Sequence, residues 1–284
     1  MALIDLNFLR EVGVTRFFSR TLYRQFYKRV LRKDQRMRLP TGDMLLLPRT
    51  SRFASEAFVT GADVDWGSEK LFFMLANRSL AFLDIGANIG YYALYMRPGV
   101  SFVYAFEPDP RMFELLTAAI AEHRNVLAVP NAVGKVAGKA KFTLESGGEV
   151  SHLARVGDIG AGTADVEVDV VTVDAFVKQH GIVVASIKTD VEGFDLEVLE
   201  GAMRTMELQR PIVLSEIQPS AALDALLAAV RYRACAYIRD VRTRAKSFEH
   251  VNGALPPERA AKMLFLVPEE RIGDVTAAAA RLQV

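Results

Sequence analysis

From residue 80 onward, the apolar positions of the chain fall into a repeating rhythm. Short hydrophobic runs at 80–84, 101–106, 126–129, 183–189, 211–216, 234–239 and 262–267 predict strands. Helical patterns lie between or after them, at 90–97, 110–122, 172–179, 194–206, 219–230 and 270–282. Strands alternating with helices in this way predict βαβ units and a mainly parallel sheet. The last two runs are joined by a connection carrying Asn252-Gly253 and Pro256-Pro257, which suits an antiparallel pair. The Gly-rich stretch 146–163 breaks the rhythm. It is too long for an ordinary connection and reads as a lid or a disordered insertion.

The first 79 residues have a different pattern. Arg16, Arg20, Arg24, Lys28, Arg32 and Arg36 recur every fourth position, and Phe18, Leu22, Phe26 and Val30 do so two residues out of phase. On a helix this makes adjoining basic and apolar stripes. The turn Arg38–Asp43 and the apolar run Met44–Leu47 predict a small hairpin, and 68–77 reads as a helix capped by Ser68. The expected organisation is therefore a basic helical extension with a hairpin at 1–79, facing substrate or membrane, and an α/β domain at 80–284.

Charge sharpens this division. The whole chain carries 35 Lys or Arg against 34 Asp or Glu, yet residues 1–40 alone hold ten of the cations and only Asp5, Glu11 and Asp34 as acids. Two readings of residues 14–36 follow. In one, an amphipathic helix rests peripherally on an anionic membrane; in the other, it packs on the main domain with its basic face in water. The near-neutral total does not suggest a nucleic-acid partner.

Composition removes several classes. At 284 residues, 51% hydrophobic and 24% charged, the chain has ordinary globular character. The single Cys235 rules out an intramolecular disulfide framework and any cysteine-cluster metal site. No uninterrupted apolar stretch is long enough to span a membrane. Asp5 and Glu11 stand where a secretory signal would need a basic start and an apolar block, so a cytoplasmic protein is expected.

Candidate chemistry concentrates at the predicted strand ends. Phe82-Leu-Asp-Ile-Gly-Ala-Asn-Ile-Gly90 follows a strand and opens a helix. Gly86 and Gly90 permit a tight turn, but Ala87-Asn88 replaces the middle glycine of a dinucleotide fingerprint. Asp84, just before the turn, would repel a pyrophosphate and suit a cationic ligand. Glu107, in Phe106-Glu107-Pro108 after the next strand, can accept both hydroxyls of a ribose. Asp84, Gly86, Gly90 and Glu107 thus describe a site for a positively charged nucleoside, of which S-adenosylmethionine is the common example. Asn131 and Ala132, after the third strand, are candidates for the adenine wall. The bland alternative has Asp84 capping the helix and Glu107 at an exposed turn.

Ligands of open α/β sheets bind beyond the carboxyl ends of the strands, which places Asp190 and Glu216 at the reacting centre. Asp190 is the first candidate for base or acceptor-orienting group, and Glu216 its neighbour at the next strand end. The pair could position an acceptor or bind a divalent metal, although no metal is expected. Glu192 can contact substrate or stabilise its own helix N-terminus. Ser151 and His152 in the Gly-rich loop could close over the substrate. Lys188 and Thr189 are assigned to the strand and its neighbours, and His123, His180 and His250 to structure or solvent.

These motifs resemble the FkbM family of S-adenosylmethionine-dependent methyltransferases. FLDIGANIGYYA at 82–93, AFEPDP at 105–110, PNAVG at 130–134, SIKTDVEGFDLEVLEGA at 186–202 and PIVLSEI at 211–217 carry the likeness. The resemblance implies a class I Rossmann-like methyltransferase fold, a seven-stranded mainly parallel sheet with its last strand antiparallel and helices on both faces. It implies S-adenosylmethionine as cofactor. Asp84, Gly86, Asn88 and Gly90 become the methionine-side loop, Glu107 the ribose ligand, and Asp190 through Gly193 the signature beside the reacting methyl. It further implies methylation of a hydroxyl on a sugar, glycan, glycolipid or natural-product acceptor. Competing readings are an NAD-dependent oxidoreductase, a nucleic-acid or other N-methyltransferase, and a catalytically silent binding module. Strand four lacks the Asn/Asp-Pro-Pro-aromatic motif that would grip a flipped base.

Overall fold

The computed structural model describes residues 12–144, 152–153 and 164–282. The first element among the described residues is α1 (Val14–Gln25), which runs into a π-helical turn at Phe26–Leu31. Arg32 then stops it in the left-handed conformation. The expected hairpin follows as β1 (Gln35–Arg38) and β2 (Met44–Leu47), with Gln35 opposite Leu47. Arg36 is therefore a strand residue, and the basic repeat outlasts the helix that suggested it. Helices α2 (Arg52–Thr60) and α3 (Ser68–Met74) complete the extension. Ser51 caps α2 by accepting a hydrogen bond from the Ala54 N–H at 2.9 Å. In α3, by contrast, the cap is Gly67 in the left-handed region, and Ser68, expected as the cap, is the first helical residue.

The main sheet is built from β3 (Ala81–Ile85), β4 (Phe102–Phe106) and β5 (Val126–Val129), joined through α4 (Tyr91–Met96) and α5 (Pro110–Ile120). A second, smaller sheet follows: β6 (Ala132–Val133), β7 (Gly138–Leu144), β8 (His152–Leu153) and β9 (Ala164–Val171), ordered β6-β9-β7-β8. The chain then returns through α6 (Val173–His180) to β10 (Val184–Thr189), α7 (Asp195–Glu200), α8 (Met203–Gln209), β11 (Ile212–Ser215) and α9 (Ala221–Val230). It ends with β12 (Tyr232–Asp240), β13 (Lys246–Val251), β14 (Arg259–Ala260), β15 (Leu264–Pro268) and α10 (Ile272–Leu282).

In space the main sheet runs β13-β12-β15-β11-β10-β3-β4-β5, with β14 pairing β12 beside this path. Strands β5, β4, β3, β10 and β11 are parallel, and β15 enters antiparallel between β11 and β12. These are the seven strands read from the sequence. The sheet has nine, because β13 extends its edge beyond β12 and the short β14 also pairs β12.

Alternating residues of each strand feed two cores. Phe82, Ile212 and Phe265 face one side with Leu71, Phe72 and Leu94, while Leu83, Ile187, Val213 and Leu266 face the other with Val198 and Leu227. Strands buried on both faces read as continuous apolar runs, which is why the rhythm was visible. The extension shares the first core through Leu39, Leu45, Leu47 and Ala57, all essentially without exposure.

The single helix expected at 194–206 is divided into α7 and α8. A Cβ at Gly201 would lie 2.2 Å from the Gly134 carbonyl oxygen, so glycine lets the two backbones touch at this break. Asp174 then accepts from the N–H groups of Arg204 (3.0 Å) and Thr205 (2.7 Å), satisfying the start of α8.

From Arg20 to Lys28 the basic stripe points inward. Arg24 is buried and donates to the carbonyls of Leu47 (3.2 Å) and Pro48 (2.6 Å), Arg20 reaches the Val59 carbonyl (3.1 Å), and Lys28 reaches Ser55 Oγ (3.2 Å). Burial lowers the Arg24 pKa, opposed by the charge of Asp34. A packed helix with a solvated basic face is therefore corrected: its cations tie it down and its apolar row faces out. No helix among the described residues is long and apolar enough to cross a membrane.

Candidate active site

The strand-to-helix turn after β3 is shaped by a close approach from β10. Gly86 has φ +76°, and a Cβ there would lie 2.0 Å from the Asp190 carbonyl oxygen. Any side chain would push the two strand tips apart. The freed carbonyl of Gly86 accepts a hydrogen bond from Lys188 Nζ at 2.8 Å. Asn88 also holds a left-handed conformation, and its side chain accepts from the Ile89 N–H at 2.8 Å.

A cavity of about 300 Å³ opens over these carboxyl strand ends. Gly86, Ala87, Asn88, Glu107, Asn131, Ala132, Asp190, Glu192 and Glu216 all line it. The structure therefore brings nine of the thirteen sequence-selected residues to one wall system. Glu107 is held firmly: its two oxygens accept from the Asn88 N–H (2.7 Å) and the Asp109 N–H (2.9 Å). Burial raises its pKa to about 7 against those two hydrogen bonds.

Four residues stand elsewhere or outside the description. Asp84 is fully buried behind the wall, both its oxygens lack a hydrogen-bond partner among the described residues, and its cation is Lys188 at 3.8 Å. It is a counter-charge beneath the turn, which corrects its expected place in the ligand loop. Burial lifts its pKa to about 6, and Lys188 opposes the rise. Gly90 caps α4 with φ +86° and does not line the cavity. Ser151 lies outside the described residues. His152 belongs to β8, where its backbone pairs with Thr143 of β7, and its side chain lies outside the description.

Glu192, read as a contact to substrate or to its own helix N-terminus, adopts φ +48° ahead of α7 and lines the cavity. Asp195 is buried and accepts from Thr189 Oγ1 at 2.5 Å, while Ser215 Oγ lies 2.9 Å from the same hydroxyl. Thr189 does serve its neighbours, as read.

Lys188 does not. Its ammonium is buried between Asp190 (3.3 Å), Asp84 (3.8 Å) and the Gly86 carbonyl, and lies 5.5 Å from the centroid of the Tyr92 ring. Desolvation would lower its pKa, but the two carboxylates raise it above the ordinary lysine value. Burial likewise opposes ionisation of Asp190, yet Lys188 and a hydrogen bond with Glu216 hold its pKa below the usual carboxylate range. Glu216 moves the other way: desolvation, that hydrogen bond and the Asp190 charge raise its pKa. The two neighbouring acids thus shift in opposite directions, Asp190 held down by its lysine and Glu216 pushed up beside it.

A second group of wall residues was not selected from the sequence. Asp65 and Glu56 come from the extension, Tyr91 and Tyr92 from α4, and Lys262 with Met263 from the segment before β15. Tyr92 Oη donates to Asp65 at 2.6 Å, and Tyr91 Oη to Glu69 at 3.1 Å. Burial lifts the Asp65 pKa to about 6, with Tyr92 and Lys262 opposing. Lys262 joins the extension to the domain through Glu56 (2.9 Å) and the Val64 carbonyl (2.7 Å). The acids Asp63, Asp65 and Glu69 clustered around the only tryptophan, Trp66, were the available signal. Among the described residues, no group of three His, Cys, Asp or Glu is placed to hold a metal ion.

Residues 84–242, more than half of the chain, match the family model described as a methyltransferase FkbM domain. No curated protein matches the chain. Among solved structures, a methyltransferase FkbM from Methylobacillus flagellatus KT is similar at 12% identity and a TM-score of 0.41, over 89% of this chain and 58% of that one. Trm5b from Pyrococcus abyssi gives 11% identity and a TM-score of 0.44, over 82% and 56% respectively. A precorrin-6y C5,15-methyltransferase from Geobacter metallireducens GS-15 gives 11% and 0.38, over 69% and 82%. The present chain thus spans little more than half the length of the first two.

Proposed function

We propose, from the premise that this chain belongs to the FkbM methyltransferase family, that it methylates a hydroxyl on a sugar, glycan or natural-product acceptor with S-adenosylmethionine. The observation that carries this reading is the Asp190–Glu216 pair. It stands over the strand ends in the same cavity as Asn88 and Glu107, with Lys188 beneath it.

The donor set suits the cofactor. Glu107 Oε1 and Oε2 each accept one backbone N–H, which leaves lone pairs for the two ribose hydroxyls. Asn131 and Ala132 form the adjoining wall for adenine. Asp190 supplies negative charge where a sulfonium would lie. S-adenosylmethionine, when bound, supplies an electrophilic methyl group.

The remaining chemistry falls to the chain. Asp190 orients the acceptor hydroxyl, which must be held within about 3–3.5 Å of the methyl carbon. That hydroxyl acidifies as its new C–O bond forms, so a carboxylate of low basicity suffices to receive the proton. Glu216 stands beside Asp190 on the cavity wall, and Lys188 maintains the charge of Asp190. Phe53, Glu56, Val64 and Asp65 make the extension a substrate-facing cap.

The test is transfer from methyl-labelled S-adenosylmethionine to fractionated glycans, hydroxylated natural products and lipids, read by mass. Product carrying the methyl on oxygen supports the reading; labelling of amines alone overturns it.

A further inference from the structure

The outward face of α1 and its π-helical turn has no counterpart elsewhere on the described surface. Val14 is 56% exposed, Phe18 44%, Leu22 69%, Phe26 46% and Val30 65%. These five lie at four-residue intervals, one below the next along a single helix. Isolated exposed apolar side chains are ordinary, whereas a continuous row marks a contact surface. The row is held outward by construction, because Arg20, Arg24 and Lys28 anchor the opposite edge to α2 and β2.

We propose that this row seats the protein on an anionic membrane surface. Charge selects that occupant. Arg29, Arg32, Lys33 and Arg36 are all exposed at the end of the row, and between residues 12 and 38 the sequence holds a single acid, Asp34. Asp34 itself accepts the Arg49 N–H at 2.7 Å. A second copy docked face to face would bring two such cation groups together. An anionic lipid surface neutralises them while its acyl boundary takes up the apolar row.

The seat lies one helix from the cavity. Tyr23 of α1 stacks on Phe58 of α2 with ring centroids 6.0 Å apart, and Phe53 and Glu56 of the same α2 line the cavity. A membrane-bound enzyme would hold that opening near the lipid surface, where a lipid-anchored acceptor presents its head group. Membrane seating does not depend on which atom is methylated.

The experiment is co-sedimentation of the full chain with vesicles of equal parts phosphatidylcholine and phosphatidylglycerol, against phosphatidylcholine alone. Binding to the anionic vesicles only, weakening with salt, is expected. Leu22→Glu with Val30→Glu should lower vesicle affinity about tenfold or more, as should Arg32→Glu with Lys33→Glu, whose exposed side chains leave the helix packing intact. Both variants should keep the wild-type circular dichroism and cofactor affinity. Absence of wild-type binding, or equal binding by the charge-reversed variant, overturns the proposal. So does a wild-type dimer that Leu22→Glu converts to monomer, since the row would then join two copies.

Discussion

Lys188 and Asp190 meet across the tip of β10, with Nζ 3.3 Å from Oδ2 and the lysine almost wholly removed from solvent. Lys188 lies on β10 and Asp190 is the first residue beyond it. The ammonium also faces buried Asp84, so one cation holds two acids in place.

Removing that cation should cost the fold heavily. Lys188→Met leaves Asp84 and Asp190 without their partner, and breaking a buried pair typically costs roughly 3–5 kcal/mol. Urea melts should show a loss in this range. Adding Asp84→Asn should recover part of it; a Lys188→Met protein as stable as the parent would contradict the arrangement.

Glu69 gives a pH signature. It is buried in α3, where desolvation and the neighbouring Asp65 charge raise its pKa from 4.5 to about 8. Between those values the folded chain keeps a proton that the unfolded chain has released. Stability therefore falls as pH rises through this window. Glu69→Gln keeps an oxygen for the Asp65 N–H and Tyr91 hydroxyl and escapes the loss. The variant should gain on the parent by at least about 1 kcal/mol between pH 5 and pH 8, measured by denaturation at each pH.

Glu107→Ala should weaken S-adenosylmethionine binding by more than about 1 kcal/mol, because ribose hydroxyls lose their acceptor in a mostly buried site. Glu107→Gln keeps one acceptor oxygen and should fall between. Calorimetric titration of the three proteins gives the order directly.

Asp190→Asn should reduce turnover roughly 100-fold, the lower end for a positioned proton acceptor, and change cofactor affinity much less. Steady-state rates at saturating cofactor, beside binding titrations, separate the two. An equal fall in both would make Asp190 a cofactor ligand only.

The strands that place this site were readable because both faces of β3, β10, β11 and β15 are buried, which leaves unbroken apolar runs. Glu107, Asp190 and Glu216 could be picked out because each follows such a run directly. The small sheet was missed, although β9 alternates Val166, Val168 and Val170 with Glu167 and Asp169, because its two long strands flank the Gly-rich stretch 146–163 that broke the rhythm. Lys188 escaped because a strand residue gives no sign of what faces it across the sheet. Asp65 escaped because its partners, Tyr92 and Lys262, lie 27 and 197 positions away. The inward turn of Arg24 was hidden for the same reason: its carbonyl partners belong to the end of β2 and the residue after it. A helical wheel shows two stripes without saying which one meets the protein.

The most direct test of the account is a crystal structure of the protein with S-adenosylhomocysteine. It should show both ribose hydroxyls on the Glu107 carboxylate and the sulfur end directed toward Asp190 and Glu216. A ribose held by other groups, with the sulfur turned away from the Asp190–Glu216 pair, would contradict it.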